Sequence, residues 1–504
     1  MYRIFGPPGT GKTTTLLNMV EEALSNGTSP NTIAFLAFTR KAANEAKERA
    51  AVRFNLDPEN DLPYFRTLHS LAYRMLGLKD SQLMQPEHYD ELSYKIGMAL
   101  SVTKISDDDD SIMVSSDHPI LQLINLSRLK KSKLIEEYDR SQLNETWAEV
   151  DYVNRSYTAY KEVQGLVDYT DMLISFAEKA VFHCPRFKLC FMDEAQDLSP
   201  VQWDIAHALD DLSDRMYCAG DDDQAIYRWA GADVDHFINL EGGSDVLEQS
   251  YRIPAEVHAV AEQVASRIIR RFPKKYLPRK ERGKVERIYS VGDMDMSEGD
   301  WLVMAQANYM LSPVAETLKY NGYLFERNGH RSISEKVSSS VNGWEQMRRG
   351  KSIDCKTAQN IYDYMSGNGK HIKRGFKRFK SHDEDKFFTL ADLQEHHGLL
   401  VQDDMVWHEA MDKMPDLDRV YITALLRSGE KFNAVPRIKL STIHGAKGGE
   451  ADNVLLLTDL SPKFAKDYAK NADDINRLLY VGVTRTRQSL HIVLPKNEER
   501  GFRF

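Results

Sequence analysis

The chain has 504 residues, 42% of them hydrophobic and 28% charged, a balance that excludes a mainly disordered protein. At about 100–200 residues per domain the length implies three or four structural units. Sixty-six Lys and Arg against 75 Asp and Glu give a net charge of −9, so a polyanionic partner must be gripped by local basic surfaces and not by the molecule as a whole.

Four cysteines (Cys184, Cys190, Cys218, Cys355), none in a Cys-x-x-Cys pair, exclude a disulfide scaffold and a zinc ribbon and read as reduced residues, three of them core. No apolar run reaches the ~18–20 residues of a membrane span. Met1 to Phe5 leads straight into a glycine loop without a charged segment and apolar stretch, so the expected location is cytoplasmic, in a bacterial-type cell or in the host cytoplasm of a phage-encoded protein.

In chain order, the extended stretch Tyr2 to Phe5 precedes Gly6-Pro7-Pro8-Gly9-Thr10-Gly11-Lys12-Thr13, which fits GxxxxGK[ST] at every fixed position. Thr14 to Leu24 then carries the apolar spacing of a helix. Such a loop aims backbone N–H groups and a helix N-terminus at phosphates. Lys12 is placed for the β/γ-phosphates, and the Thr13 hydroxyl for Mg²⁺. Thr32 to Phe38 reads as a buried strand and Lys41 to Val52 as a helix. Residues 75–165 show helical periodicity (Leu121, Ile124, Leu126, Leu129, Leu134, Ile135) and the acidic run Asp107 to Asp110, expected to be a solvated loop. An apolar strand then ends at Met192 and delivers Asp193 and Glu194. The first is placed to hold Mg²⁺, and the second to orient and deprotonate water. That pairing favours hydrolysis over transfer of phosphate to a small-molecule substrate. Because 180 residues separate Thr13 from Asp193, far more than a compact α/β unit needs, residues 75–165 read as an insertion.

A second α/β unit begins near Leu247, with short buried strands expected at Val285–Tyr289, Trp301–Ala305, Ile438–Ser441, Val454–Leu457 and Leu490–Leu494. It is interrupted from about 335 to 435. Within that interruption Lys370, Lys373, Arg374, Lys377 and Arg378 fall on one face of an expected helix, with Ile372, Phe376 and Phe379 on the other and Gly375 weakening it. Arg267 to Lys284 is also basic, and Pro273 and Pro278 make it an expected surface connection.

An ordered series of blocks resembles the superfamily 1A DNA helicases, the UvrD/Rep/PcrA-like group. After the glycine loop come Ala37-Phe38-Thr39-Arg40-Lys41-Ala42-Ala43, Phe65-Arg66-Thr67-Leu68-His69-Ser70 and Asp168-Tyr169-Thr170-Asp171-Met172. Asp193-Glu194-Ala195-Gln196-Asp197 follows, then Gly220-Asp221-Asp222-Asp223-Gln224-Ala225-Ile226-Tyr227-Arg228-Trp229-Ala230-Gly231. Leu247-Glu248-Gln249-Ser250-Tyr251-Arg252, Ser441-Thr442-Ile443-His444-Gly445-Ala446-Lys447-Gly448-Gly449-Glu450 and Leu479-Tyr480-Val481-Gly482-Val483-Thr484-Arg485 complete it.

The resemblance implies two RecA-like P-loop lobes, parallel sheets flanked by helices, each carrying an inserted, largely helical subdomain. The implied division is 1–74 and 166–246 for the first lobe, interrupted by 75–165. It is 247–334 and 436–504 for the second, interrupted by the short insertion 335–435. Catalytic roles are implied for Lys12, Asp193, Glu194, Gln224 (the sensor of γ-phosphate and water) and two arginine fingers, Arg252 and Arg485. Nucleotide binding is implied for Gly6 to Thr14, for Tyr251 as a ring stacking on adenine, and for Glu450 near the ribose and phosphates. Phe38, Thr39, Arg40, Thr67, His69, Tyr227, Trp229, Thr442 and His444 match positions that face a DNA strand. For Trp229 the alternative is a core position.

The implied activity is an ATP- and Mg²⁺-dependent helicase moving 3′→5′ on single-stranded DNA and acting at single-strand/duplex junctions, with no membrane partner. The alternatives are a translocase that strips proteins without unwinding and a nucleotide-switched recruitment factor. Three departures stand out. Only five residues precede Gly6, so the usual adenine-reading Gln segment is not expected, and neither is strict ATP preference. Ala230 stands where an Arg often follows the Trp, and Gly445 and Gly449 replace bulkier residues. No fused nuclease is expected after Pro495.

Overall fold

The computed structural model describes residues 1–100, 118–141, 143–468 and 470–502. The acidic run Asp107–Asp110 lies outside them. The chain forms two compact units, the first built from residues 1–282 together with 467–484, the second from 283–466 and the strand following Arg485.

The first unit is organised by six strands: β1 (Tyr2–Phe5), β2 (Ile33–Ala37), β3 (Phe65–Thr67), β4 (Phe187–Met192), β5 (Ser213–Gly220) and β6 (Ser244–Val246). They pair in the order β3-β2-β4-β5-β1-β6, all parallel. All five residues of β2 are buried, the mark of a strand covered on both faces. Its alternation divides them between two cores. Ile33 and Phe35 pack with Leu16, Leu17 and Val20 of the helix Lys12–Ser25, while Ala34 and Leu36 pack with Leu68, Met172 and Trp203. Phe5 lies beside Gly220 and Met192 beside Cys218, so the loops leaving β1, β4 and β5 emerge at one edge of the sheet, where parallel α/β sheets bind ligands.

The inserted helices Pro119–Leu129, Leu134–Arg140 and Trp147–Gln164 bury Ile120, Leu121, Ile124, Val150, Val153 and Tyr157 in a core of their own. Asp168 ties them to the sheet. It caps the helix Tyr169–His183 by accepting from the Asp171 N–H at 2.7 Å, and it also accepts from Arg128 at 2.7 Å and Lys161 at 2.6 Å.

In the second unit, β7 (Lys284–Ile288), β8 (Trp301–Ala305), β9 (Phe325–Arg327), β10 (His330–Arg331), a separate pair β11 (Ile353–Asp354) and β12 (Phe387–Phe388), then β13 (Ile438–Thr442), β14 (Ala451–Leu457) and β15 (Thr486–Val493) follow in chain order. The main sheet runs β10-β9-β13-β8-β14-β15-β7 and is parallel except for the β9–β10 hairpin. The five strands expected from sequence are all present within a few residues, but β7 is an edge strand with no buried residue and Tyr289 beside it is exposed, contrary to the expected burial. Residues 335–435 carry far more helix than strand, with Glu335–Arg348, Cys355–Asp363 and Asp416–Arg427 their longest helices.

Two expectations are corrected here. Residues 370–380 form no helix, and Gly375 sits at φ +90°. Lys377 instead caps the preceding helix, donating to the carbonyls of Tyr362, Asp363 and Met365, while Arg378 pairs with Asp363 and Lys370 with Asp412. Local capping overrode the helical charge pattern. All four cysteines are free and buried, one more than the sequence reading allowed. No helix among the described residues is long and apolar enough to cross a membrane.

Candidate nucleotide and strand site

The loop after β1 starts from a fixed point, since the Gly6 N–H donates to the Gly220 carbonyl at 2.9 Å. Gly6 must lack a side chain, because a Cβ there would lie 2.0 Å from Lys12 Cγ. Lys12 Nζ folds back over the loop, donating to Gly6 O at 3.1 Å and lying 3.7 Å from Glu194 Oε1. Thr10 closes the turn by donating to Pro7 O at 2.8 Å. The helix Lys12–Ser25 begins at Gly11, φ +80°, with no side-chain cap. Its first N–H groups therefore point into the loop without an intrahelical partner, the arrangement that accepts an anion.

β4 carries Asp193 to the same place. Its carboxylate accepts from Thr13 Oγ1 at 3.0 Å and from the Glu194 N–H at 2.9 Å, and it is 4% exposed. Burial and the charge of Glu194 push Asp193 up to about 6, against the opposing pull of Lys12 and Thr13. A cation between Thr13 Oγ1 and Asp193 Oδ2 would relieve that burden. Two hard oxygens suit Mg²⁺, which fills its other positions with water and phosphate oxygens. Among the described residues no group of three or more His, Cys, Asp or Glu forms a metal cage, so a cation here depends on that shared coordination. Glu194 sits at φ +56°, a strained setting for a non-glycine residue, and its Oε2 accepts from Gln196 Nε2 at 2.6 Å.

Gln196 joins the carboxylate to the loop that follows β5. It is fully buried, and its Oε1 accepts from the Asp221 N–H at 3.0 Å. Asp221 in turn accepts from Gln224 Nε2 at 2.7 Å. Asp221, Asp222 and Asp223 are each 0% exposed. Lys274 Nζ meets all three, at 3.2, 2.6 and 2.7 Å, and Arg271 forks onto Asp223 at 2.9 and 2.6 Å. Burial acts to lower Lys274, but the three carboxylates outweigh it and hold the ammonium well above its usual range. Arg477, from the helix Ala472–Val483, donates to the Asp222 carbonyl at 2.9 Å. The segment expected to be a basic surface connection is thus buried at Lys274 and Tyr276. Consecutive buried carboxylates require cations, and this stretch supplies them.

Ser250 latches the top of the glycine loop. It is fully buried, donates to Pro8 O at 2.8 Å and accepts from the Arg252 and Ile253 N–H groups, while the Tyr251 N–H donates to Gly9 O at 2.8 Å. Gly9, at φ +72°, admits this approach only because it has no Cβ; one there would lie 2.3 Å from that of Arg252. Tyr251 is 74% exposed beside the loop. Sequence reasoning named neither Ser250, Gln196 nor Lys274 for a role. The one available signal was the Asp221–Asp223 run at the end of a buried strand.

In the second unit, Arg485 is 2% exposed and donates to Gly449 O at 3.3 Å. Glu450 is exposed and lies 3.4 Å from Arg487, and Thr442 accepts from the Gly445 N–H at 3.1 Å in the turn that also holds His444.

The strand candidates of the first unit fall into two kinds. Phe38, Tyr227 and Trp229 form a run of rings with centroids 5.7 and 6.4 Å apart, and Trp229 is 64% exposed, so it is not core. Arg40 is exposed, and His69 packs against Tyr169. Burial, then the charge of Arg40, lowers His69 to about 4. Thr39 and Thr67 are helix caps, accepting from the Ala42 and Ser70 N–H groups at 3.0 and 3.2 Å, and Thr67 is buried.

A family model for the UvrD/REP helicase N-terminal domain matches residues 2–243, and one for the UvrD-like helicase C-terminal domain matches residues 132–497. The chain is 25% identical over 393 residues to the ATP-dependent DNA helicase PcrA of Leuconostoc citreum, covering 72% of this chain and 50% of that protein. It is 25% identical over 374 residues to PcrA of Bacillus subtilis, covering 71% and 50%. To the DNA helicase II of Salmonella typhimurium it is 27% identical over 271 residues, covering 50% and 36%. The chain spans about half the length of the two PcrA proteins it matches.

Proposed function

The chain belongs to the UvrD-like helicase family, and from that premise we propose that it is an ATP-dependent DNA helicase which moves 3′→5′ on single-stranded DNA and opens duplex at a junction. The observation that carries the reading is the meeting of Lys12, Thr13, Asp193 and Glu194 at the edge of one parallel sheet. Bound Mg-ATP would supply the phosphoanhydride whose cleavage drives movement. Lys12 and the first N–H groups of the helix Lys12–Ser25 hold its phosphates, Thr13 and Asp193 hold the cation, and Tyr251 stacks on the base. Glu194 takes the proton of the attacking water, Gln224 positions that water, and Arg252 and Arg485 neutralise charge in the transition state.

DNA is held without reading its sequence. Trp229, Tyr227 and Phe38 offer flat faces to bases, and Arg40, with the hydrogen-bonding groups of His69 and His444, suits the backbone. Thr39, Thr67 and Thr442 serve there through the turns and helix starts they cap. The motor division into 1–74 with 166–246 and 247–334 with 436–504, Glu450 as a nucleotide contact, and a cytoplasmic setting are parts of the same proposal.

Unwinding of duplexes with 3′ or 5′ single-stranded tails, with and without ATP, tests it. Strand separation of the 3′-tailed substrate alone, only with ATP, is the expected result. Hydrolysis stimulated by single strands but no separation on either substrate would favour a translocase that only clears the strand.

A further inference from the structure

The Gln224 side chain does not choose its own orientation. Its Nε2 donates to Asp221 Oδ2 at 2.7 Å, and a carboxylate can only accept, so the amide is assigned by chemistry. The other oxygen of Asp221 lies 3.2 Å from Lys274 Nζ, whose side chain is 1% exposed and which also holds Asp222 and Asp223. The Asp221 N–H is in turn fixed on Gln196, which also holds Glu194. Gln224 therefore belongs to a relay of buried groups.

We propose that Asp221, set by Lys274, is a positioning residue that locks the Gln224 amide with its NH₂ edge inward, so that Oε1 is what it presents to the attacking water. This rests on the reading of Gln224 as the water-positioning group. An amide free to turn over would present NH₂ for half of its encounters, and NH₂ cannot accept the water's proton-bearing edge. Asp221 touches neither substrate nor water in this scheme and acts only through Gln224. The Lys274 ammonium holds the Asp221 carboxylate in place by charge and hydrogen bonding, which a neutral side chain of similar length could not do.

The test is a pair of double-mutant cycles on ATP turnover per folded molecule, with single-stranded DNA saturating. Wild type and Gln224→Ala come first. If wild type turns over and Gln224→Ala matches it, the reading of Gln224 fails, and the proposal with it. If Gln224→Ala is slow, Asp221→Asn and Lys274→Met are each expected to lower kcat by about tenfold with little change in KM, the split expected when positioning of the water, not nucleotide binding, is lost. In the Gln224→Ala background neither should lower it further. A residue that merely holds the loop together would reduce kcat by the same factor in both backgrounds, and that additive outcome overturns the proposal. Asp221→Asn is nearly isosteric and retains an oxygen for Lys274, so its cycle decides the matter should Lys274→Met fail to fold.

Discussion

Thr13 Oγ1 donates to Asp193 Oδ2 at 3.0 Å across 180 residues of chain. The bond joins the first turn after the glycine loop to the end of β4 and sets the two oxygens at the spacing of neighbouring ligands on one small cation. Asp193→Asn keeps the shape and removes the charge. The Mg²⁺ midpoint for ATP turnover should rise by about tenfold or more, since even groups that only support a ligand act on that scale. A titration with an unmoved midpoint would remove Asp193 from the ligand set.

Glu194 is held differently, by an amide instead of a cation-binding oxygen. With Gln196 Nε2 at 2.6 Å on one carboxylate oxygen, the other faces Lys12 at 3.7 Å. Glu194→Gln should bind nucleotide and lower turnover by about 10²–10⁴, the range for loss of a general base. Lys12→Ala should lose nucleotide binding itself. Equilibrium binding of a fluorescent ATP analogue, beside steady-state turnover, separates the two. Parental turnover in Glu194→Gln would end its assignment as base.

The contrast between these residues and Lys274 explains what the sequence could disclose. The glycine loop and the Asp193–Glu194 pair are legible because their chemistry is written in adjacent residues flanked by a strand. So is β8 of the second unit, whose apolar run is buried at all five residues. Lys274 meets its carboxylates across 52 residues and Arg477 across 255, and nothing local announces either pairing. Residues 370–380 mislead for the converse reason. Their charges suit a helical face, but Lys377 finds three carbonyls at the end of the helix Cys355–Asp363 and the backbone follows it. Thr39 and Thr67, read as strand contacts by motif, also cap helices, a role visible only once each helix start is known.

His69 gives a pH prediction. Folding lowers it from its ordinary 6.5 to about 4. Between these values the unfolded chain binds a proton that the folded chain refuses, so its contribution is fully present above about 6.5 and is lost as pH falls toward 4. His69→Gln should flatten that part of the stability–pH curve, measured by urea unfolding. At neutral pH His69 is uncharged, so the same variant should leave the salt dependence of single-strand binding unchanged. Arg40→Ala should reduce the slope of log K against log[salt] by about 0.7, one phosphate's share on a single strand. Equal slopes in the two variants would contradict this division of labour.

Trp229 is the most exposed ring of the Phe38–Tyr227–Trp229 run. Trp229→Ala should weaken single-strand binding by ~1–3 kcal/mol, similarly for pyrimidine and mixed sequences, because stacking is indifferent to base identity. Fluorescence anisotropy with labelled oligonucleotides measures it. A loss confined to one sequence, or no loss, would move the stacking platform elsewhere.

Asp168 carries the attachment of the inserted helices. Arg128, Lys161 and Tyr157 donate to it, the last at 2.8 Å, and Asp171 takes a second bond from each cation. Burial alone would raise the carboxyl, but Arg128 and Lys161 outweigh it and hold Asp168 well below the usual carboxylate range. Asp168→Asn keeps an acceptor for the cap at the Asp171 N–H, removes the charge and sets an NH₂ where Arg128, Lys161 and Tyr157 now donate. Breaking a buried pair from one side costs about 3–5 kcal/mol, and because Asp171 remains beside both cations the lower end is expected at pH 7. The sign with pH follows from the lowered value. The unfolded carboxyl titrates near 4, the folded one below it, so the stabilisation is complete above about pH 5 and fades as pH falls through the folded value. Wild type and Asp168→Asn should therefore converge on acidification, the gap at pH 3 being smaller than at pH 7. A gap that stays constant would show that Asp168 acts by shape and capping, with its charge contributing nothing.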